Sequence, residues 1–136
     1  MLAFREFQRR AVASVLLTDL AEAGTWLPSG ELQQPFPVRI LVERSQQQVD
    51  GVLLGTEDEE LLVTVWRDPD DAQFDEVNLG GVRQPRITDR LVRDPTRDTS
   101  QPYEFGGEII AETPYTWRLR LRRKRVVQVG VGTVAR

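Results

Sequence analysis

The side chains of this sequence that could take part in chemistry are carboxylates, arginines, one lysine and a few hydroxyls. The 136 residues contain no histidine and no cysteine, which excludes a Ser-His-Asp or Cys-His catalytic group and an ordinary zinc or haem site. A disulfide is excluded for the same reason. We therefore expect a protein that is not an enzyme and that holds no cofactor and no metal.

An acidic run at 68–79, DPDDAQFDEVNL, has the composition of a calcium-binding loop but lacks its spacing. Such a loop needs glycine at its sixth position and glutamate at its twelfth, and counting from Asp68 puts Gln73 and Leu79 there. The run therefore favours a solvated acidic loop. A loose metal site or a carboxylate-based hydrolase is the last of the alternatives. The glycine pairs at 80–81 and 106–107 lack the spacing and the lysine of a phosphate-binding loop, and they indicate turns.

A row of arginines is the most informative pattern in the sequence. Between residues 115 and 122, aromatic and leucine side chains alternate with polar ones at a period of two, which is typical of a strand with one buried face. The window 118–125 carries six positive residues and no acid, whereas 57–76 carries nine acids against one arginine. The candidate site residues are basic in the first segment and acidic in the second: Arg118, Arg120, Arg122, Arg123, Lys124, Arg125, Asp68, Asp70, Asp71, Asp75 and Glu76.

Three explanations of the arginine row remain open. The first is a solvated face. The second is a contact with another protein, since arginine is enriched in protein interfaces. The third is a nucleic-acid surface. Tyr115 and Trp117 count against nucleic acid, since they lie on the opposite side of the strand from the arginines. The acidic character of the whole chain, with a pI near 5.1, counts against it too. A protein contact would use both charged segments, because the acidic one complements the basic one.

The length predicts a single domain over residues 1–136. No apolar run approaches the roughly 20 residues that span a bilayer, and charged residues interrupt any N-terminal signal-peptide pattern. A cytoplasmic protein without membrane contact is therefore expected. The predicted elements are a helix at 3–22, a turn-rich stretch at 25–37, strands within 38–66 and 108–134, and a long mobile loop at 67–105 with a strand fragment at 87–92.

One helix followed by about six short strands predicts a mainly β (α+β) fold, a small barrel or sandwich. The helix has apolar residues at steps of three and four, from Phe4 to Leu20. This stripe must bury against its own domain or against a neighbouring subunit. The strands within 38–66 are predicted at 38–43, 49–55 and 60–66, with a polar link at 45–48 and a carboxylate-lined turn at 56–59.

Three segments in order carry a family resemblance: FREFQRRAVASVLLTDL, VTVWRDPDDAQF and GGEIIAETPYTWRLRLRR. This order resembles the head-tail joining (head-completion) proteins of lambda-like long-tailed bacteriophages. In that family a G-[DE]-x-[IL] strand leads through a turn into a strand with aromatic residues. Gly107, Glu108 and Ile110, followed by Tyr115 and Trp117, occupy comparable places here.

The resemblance implies a small β-barrel with a helix, no enzymatic activity, and copies that form a ring in the virion neck. The implied partners are the protein itself, the portal or adaptor and tail proteins of the virion, and DNA in transit. A head-to-tail contact that closes makes such a ring, and the two charged segments would pair across it. The alternative is a small nucleic-acid-binding β-barrel that uses the arginine-rich strand 118–125.

Overall fold

The computed structural model describes residues 2–30, 33–50, 56–93 and 102–126. The predicted mainly β fold with one N-terminal helix is confirmed. The elements are α1 (Leu2–Leu17), β1 (Glu22–Leu27), β2 (Phe36–Asp50), β3 (Thr56–Trp66), a 3₁₀ turn (Pro69–Asp71), β4 (Gln73–Phe74), β5 (Val77–Asn78), β6 (Arg90–Arg93), β7 (Tyr103–Glu112) and β8 (Thr116–Val126).

Six strands close into an antiparallel barrel in the order β1-β2-β3-β8-β7-β6. Of the two predicted architectures, barrel and sandwich, the barrel is therefore the one observed. Alternate residues of each strand point inward, since the side-chain period of a strand is two. Leu61, Val63 and Val65 of β3 stand opposite Leu121, Leu119 and Trp117 of β8, and all six are buried in the barrel core.

Strands β2, β3 and β8 extend beyond the barrel as a three-stranded ribbon. β1 pairs with β2 only from Phe36 to Ile40, whereas β2 pairs with β3 as far as Asp50. The predicted polar link at 45–48 and turn at 56–59 are therefore wrong, because both segments lie inside strands. Their polar residues give no alternating hydrophobic pattern, so the sequence carried no strand signal there. The predicted strand residues 51–55 and 127–134 lie outside the described residues.

The region between the helix and β2 also differs from the prediction. The helix ends at Leu17 rather than at residue 22, and Glu22–Leu27 forms β1 where a helix end and turns were expected. A glycine just past an apolar helical stripe predicts the end of a helix, and Gly24 stands at such a place, but it serves close packing inside β1. A Cβ on Gly24 would lie 3.0 Å from the carbonyl oxygen of Val92, so a larger residue would push β1 and β6 slightly apart.

Helix α1 packs on the outer wall of the barrel. Ala13 and Leu16 join Trp66 and Phe74 in a second buried cluster, separate from the barrel core. Tyr115, which the alternation placed on the buried side of its strand, instead stacks on the outer Trp66 ring at 5.8 Å. The guanidinium of Arg39 donates to the carbonyl oxygens of Leu16 and Thr18 at 2.8 and 3.0 Å. It thus satisfies acceptors that the end of the helix leaves open.

The segment predicted as a long loop, 67–105, contains several short elements in its described part. These are the 3₁₀ turn, the β4–β5 hairpin, β6 and the start of β7. The predicted fragment at 87–92 overlaps β6, and β7 begins at Tyr103, five residues before the predicted strand. Gly106 and Gly107, read as a turn, lie within β7 at a shift of its register against β8.

The buried carboxylate of Asp89 ties the segment before β6 to β1. It accepts hydrogen bonds from the backbone N–H groups of Ser29 at 2.6 Å and Arg86 at 2.9 Å, and from Nε1 of Trp26 at 3.2 Å. A buried carboxylate is stable only when its oxygens are hydrogen-bonded in this way. Asp89 is therefore a structural residue, although its type and burial would also suit a catalytic one.

Candidate interaction surface

Strand β8 places alternate residues on the two sides of the barrel wall, as the period of two predicts. Trp117, Leu119 and Leu121 are buried inside, and Nε1 of Trp117 donates a hydrogen bond to the carbonyl oxygen of Val82 at 2.7 Å. The alternate positions hold the outer arginine row, which consists of Arg118, Arg120 and Arg122.

Each arginine of the outer row forms an ion pair within the same chain. Arg118 reaches Glu43 of β2 at 2.8 Å, and Arg120 reaches Glu108 of β7 at 2.7 Å. Arg122 and Glu60 of β3 pair at 3.2 Å. Exposed pairs of this kind contribute about 0–1 kcal/mol each. Their main effect is to neutralise the positive row with acids from β2, β3 and β7.

Arg123 differs from the outer row because its side chain turns into the barrel end. Its Nη2 lies 3.0 Å from a carboxylate oxygen of Glu59, and the two side chains are only 9% and 11% exposed. The guanidinium also lies over the ring of Tyr103, 4.5 Å from the centroid. The Tyr103 hydroxyl donates to Glu59 at 3.0 Å. The three side chains form a buried polar cluster that closes this end of the core.

The basic and acidic runs face each other on neighbouring strands. In the β3–β8 register, Arg122, Arg123, Lys124 and Arg125 stand opposite Glu60, Glu59, Asp58 and Glu57. Opposite charges at such cross-strand positions stabilise a sheet. Arg122 and Arg123 have their acidic partners, Glu60 and Glu59, within the same chain. The sequence had predicted a turn at 56–59 and a strand from residue 60. The acids at 57–60 and the basic residues at 122–125 are runs of equal length. This equality was the signal in the sequence that could have indicated the pairing of β3 with β8.

The acidic segment at 68–76 belongs to a different group of ion pairs. Asp68 and Asp70 pair with Arg83, and the Asp70 carboxylate, through its hydrogen bond, raises the pKa of the Arg83 guanidinium. Asp71 pairs with Arg9 of the helix at 2.9 Å. Among the described residues, the remaining acids of the segment, Asp75 and Glu76 in the β4–β5 turn, form no ion pair.

The apolar stripe predicted on the helix divides into two faces. Val12, Ala13 and Leu16 face the barrel. At about 100° per residue, Phe4, Phe7, Ala11 and Val15 fall within an arc of about 80° on the opposite side. Phe4 is 61% exposed, Phe7 70% and Val15 42%, and Leu20 just after the helix is 81% exposed. Of the two predicted alternatives, burial against the same domain is therefore observed for one half of the stripe.

A second exposed apolar site lies beside the register shift of β7. Ile87, just before β6, is 64% exposed, and Ile109 of β7 is 39% exposed. The Ile87 side chain lies 3.4 Å from the place where a Cβ on Gly107 would be. Gly107 has a φ of 104°, a conformation that favours glycine. Ile87 and Gly107 therefore lie together on the exposed side of the β6–β7 wall.

A cleft of about 590 Å³ lies at the barrel end near β1 and the 78–89 segment. Trp26, Phe36 and Pro37 supply its apolar wall, and the Asp89 carboxylate in its lining is already hydrogen-bonded. Within the described ranges, no group of three or more acidic side chains is placed to hold a metal ion. Among the same residues, no helix is long and apolar enough to cross a membrane.

A scan against protein-family models and searches of curated proteins and of solved structures find no match.

Proposed function

We propose that the protein is a structural subunit of the head-tail junction of a long-tailed bacteriophage or prophage. Copies of it form a ring that joins the DNA-filled head to the tail. The observation that carries the proposal is the closed six-stranded barrel with a single N-terminal helix on its outer wall. This is the architecture that the order of the three sequence segments implied. The partners are further copies and the portal or adaptor and tail proteins of the virion.

The charge distribution supports a role around moving DNA. The chain has a net charge of −3, and the outer arginines pair with acids of their own subunit. A channel wall that binds phosphate groups strongly would have to release them for DNA to move. Neutralised arginines lower that attraction, so this surface suits a conduit through which DNA passes.

The same ion pairs weigh against the alternative of a nucleic-acid-binding barrel that uses the strand 118–125. Binding to phosphates requires arginines and lysines that are available to replace condensed counterions. Arg118, Arg120 and Arg122 would first have to leave Glu43, Glu108 and Glu60. We therefore rank the structural role first.

Deletion of the gene from the phage or prophage that carries it tests the proposed function. The expected result is an accumulation of DNA-filled heads and free tails, seen by electron microscopy after induction. Purified wild-type protein added to that lysate should restore joined, infectious particles. The matched control is the same lysate with buffer alone. Complete particles formed without the gene product would refute the proposal.

A further inference from the structure

We propose that the cleft at the barrel end near β1 binds a ligand in which an apolar group carries a carboxylate. Its volume of about 590 Å³ lies in the range of small-ligand sites, roughly 300–1,000 Å³. Its lining combines apolar side chains with a few polar ones, which is the usual composition of such sites. The site goes beyond the proposed function, because none of its lining residues belongs to the arginine row of β8.

The segment that follows β5 forms one wall of the cleft and is held in place by its backbone. The N–H of Val82 donates to the carbonyl oxygen of Trp66 at 2.9 Å, and the Val82 carbonyl oxygen accepts from Nε1 of Trp117 at 2.7 Å. A Cβ on Gly81 would lie 2.5 Å from the backbone nitrogen of Pro69, so the wall packs closely against the 3₁₀ turn. The cleft is therefore preformed, and this wall does not have to become ordered when a ligand binds.

The apolar surface of the cleft is accessible to a ligand. Pro28 and Phe36 are partly buried and Pro37 is exposed. Trp26 and Val82, which are 1% and 2% exposed, complete the apolar part of the lining used here. An apolar ligand group that covers Phe36 and the two prolines would remove apolar surface from water, which favours binding.

Three charged side chains line the cleft, and two of them already have partners. The Asp89 carboxylate accepts hydrogen bonds from three N–H groups, and Arg83 pairs with Asp68 and Asp70. The third is Arg86. Among the residues that the structure describes, its guanidinium forms no hydrogen bond, ion pair or ring contact. Arg86 is therefore the charge in the lining that is available to a ligand.

The buried Asp89 fixes the backbone of Arg86 beside the cleft. Its carboxylate accepts from the N–H of Arg86 at 2.9 Å, and its own N–H donates to the Arg86 carbonyl oxygen at 2.9 Å. Thr88, inside this turn, has a φ of 78°, which is rare for a β-branched residue. Strained backbone of this kind is concentrated at functional sites, ligand-binding sites among them. The turn at 86–89 thus has the geometry of a functional segment.

The charges around the cleft favour a carboxylate over a phosphate or a cation. A guanidinium binds a carboxylate through two parallel hydrogen bonds. A phosphate group carries more negative charge, and the carboxylates of Asp68, Asp70 and Asp89 lie in the lining or against its Arg83, so they would repel it more strongly. A cation would find the oxygens of Asp89 already hydrogen-bonded to N–H groups.

An apolar group next to a carboxylate occurs in small carboxylic acids and chain ends, and also in peptides with an acidic side chain beside an apolar one. Two probes separate these sources. N-acetyl-phenylalanine carries a free terminal carboxylate, and the C-terminally amidated dipeptide N-acetyl-phenylalanyl-aspartate carries one on its side chain. N-acetyl-phenylalanine amide, which has no charge, is the control probe.

The test is a titration of the full-length, ¹⁵N-labelled protein with each probe, followed by NMR. At least one charged probe should shift the amide signals of Gly80, Gly81 and Arg86, and the neutral amide should bind at least about tenfold more weakly. Arg86→Gln should remove this difference without changing the circular dichroism, since the Arg86 side chain is exposed. The matched control is Arg5→Gln, at an exposed arginine of α1 outside the lining, and it should retain the difference.

The two charged probes also report the source of the ligand. Binding of the terminal carboxylate alone would indicate a small acid or a chain end, and binding of the dipeptide alone would indicate an acidic peptide. Absence of shifts with all three probes up to about 10 mM would overturn the site. Equal binding of the charged and neutral probes by the wild type would overturn the carboxylate assignment, and this comparison requires no variant. A preference for the charged probe that persists in Arg86→Gln would overturn the role of Arg86.

Discussion

Glu59 and Arg123 face each other on neighbouring strands and form a buried ion pair at 3.0 Å. The flanking outer arginine Arg122 has the same charge and pairs with the next acid on β3, but its side chain is 60% exposed. Two adjacent arginines of one strand therefore occupy different electrostatic environments. Loss of the Arg123 side chain would remove a guanidinium 3.0 Å from the buried Glu59 carboxylate. Loss of Arg122 would leave Glu60 with Arg120 still 3.8 Å away.

The substitution Arg123→Ala should destabilise the subunit by about 3–5 kcal/mol, because it leaves the Glu59 carboxylate buried without its cation. Arg122→Ala should cost less than about 1 kcal/mol, because the Arg122 side chain is 60% exposed and Arg120 stays 3.8 Å from Glu60. Urea unfolding followed by tryptophan fluorescence measures both values. Equal costs for the two substitutions would show that Arg123 does not close the barrel end.

Truncation of Asp89 to alanine should lower the free energy of unfolding by about 3 kcal/mol or more. The change removes the acceptor of three N–H groups, and each hydrogen bond to a charged group contributes about 1.5–3 kcal/mol. Asp70→Ala is the matched control, since its exposed carboxylate pairs only with Arg83, and it should cost less than about 1 kcal/mol. Thermal and urea unfolding of both variants would give the comparison. A small loss of stability in Asp89→Ala would mean that the hydrogen bonds of Asp89 do not hold the segment before β6.

Stability should fall at alkaline pH because of Tyr103. Burial of the Tyr103 ring raises the pKa of its hydroxyl, and the adjacent Glu59 adds to the rise while Arg123 opposes it. A raised folded pKa contributes stability that is complete below the ordinary tyrosine value, about 10. That contribution is lost as the pH rises through the folded pKa. Urea unfolding at pH values from below to above about 10 measures this loss of stability. The loss should be smaller in Tyr103→Phe. An equal loss in that variant would contradict the assignment.

Gly80 should tolerate no larger side chain. Its φ of 72° is left-handed, and a Cβ there would lie 2.9 Å from Cα of Val38. Gly80→Ala should therefore cost more than about 2 kcal/mol, from the conformational strain and the clash together. Gly106→Ala is the control, because no atom lies within 4 Å of its added Cβ. Its effect should stay within about 0.5 kcal/mol. Similar melting temperatures for the two variants would refute the close approach at Gly80.

The sequence predicted the parts of the fold whose side chains alternate between core and solvent. Trp117, Leu119 and Leu121 lie inside as their spacing indicates, and the N-terminal helix forms where its apolar steps predict it. The sequence did not predict β1. Gly24 follows an apolar helical stripe, and a glycine at such a place looks like the end of a helix even when it lies inside a strand. The polar stretches at 45–48 and 56–59 gave no strand signal, because strands recognised by hydrophobic alternation need apolar residues.

The candidate surface was predicted only at the level of residue types. The arginines of β8 were located correctly on the strand, but their acidic partners come from other strands. Glu59 and Glu60 stand opposite Arg123 and Arg122 in the β3–β8 pairing. Glu43 of β2 and Glu108 of β7 reach Arg118 and Arg120 only through their side chains. Periodicity reports which face of an element is apolar. Periodicity does not indicate which strand pairs with which, so the ion pairs between strands could not be predicted from the sequence.

The β3–β8 pairing also has a consequence for how fast the protein folds. Trp66 pairs with Thr116 and Thr56 with Val126, so the partners are 50 to 70 residues apart in the chain. Contacts at such separation form slowly, because a long stretch of chain must lose its freedom before they are made. Only one antiparallel alignment puts the four acids at 57–60 opposite the four basic residues at 122–125. We therefore expect this charge pattern to favour the observed register over shifted ones.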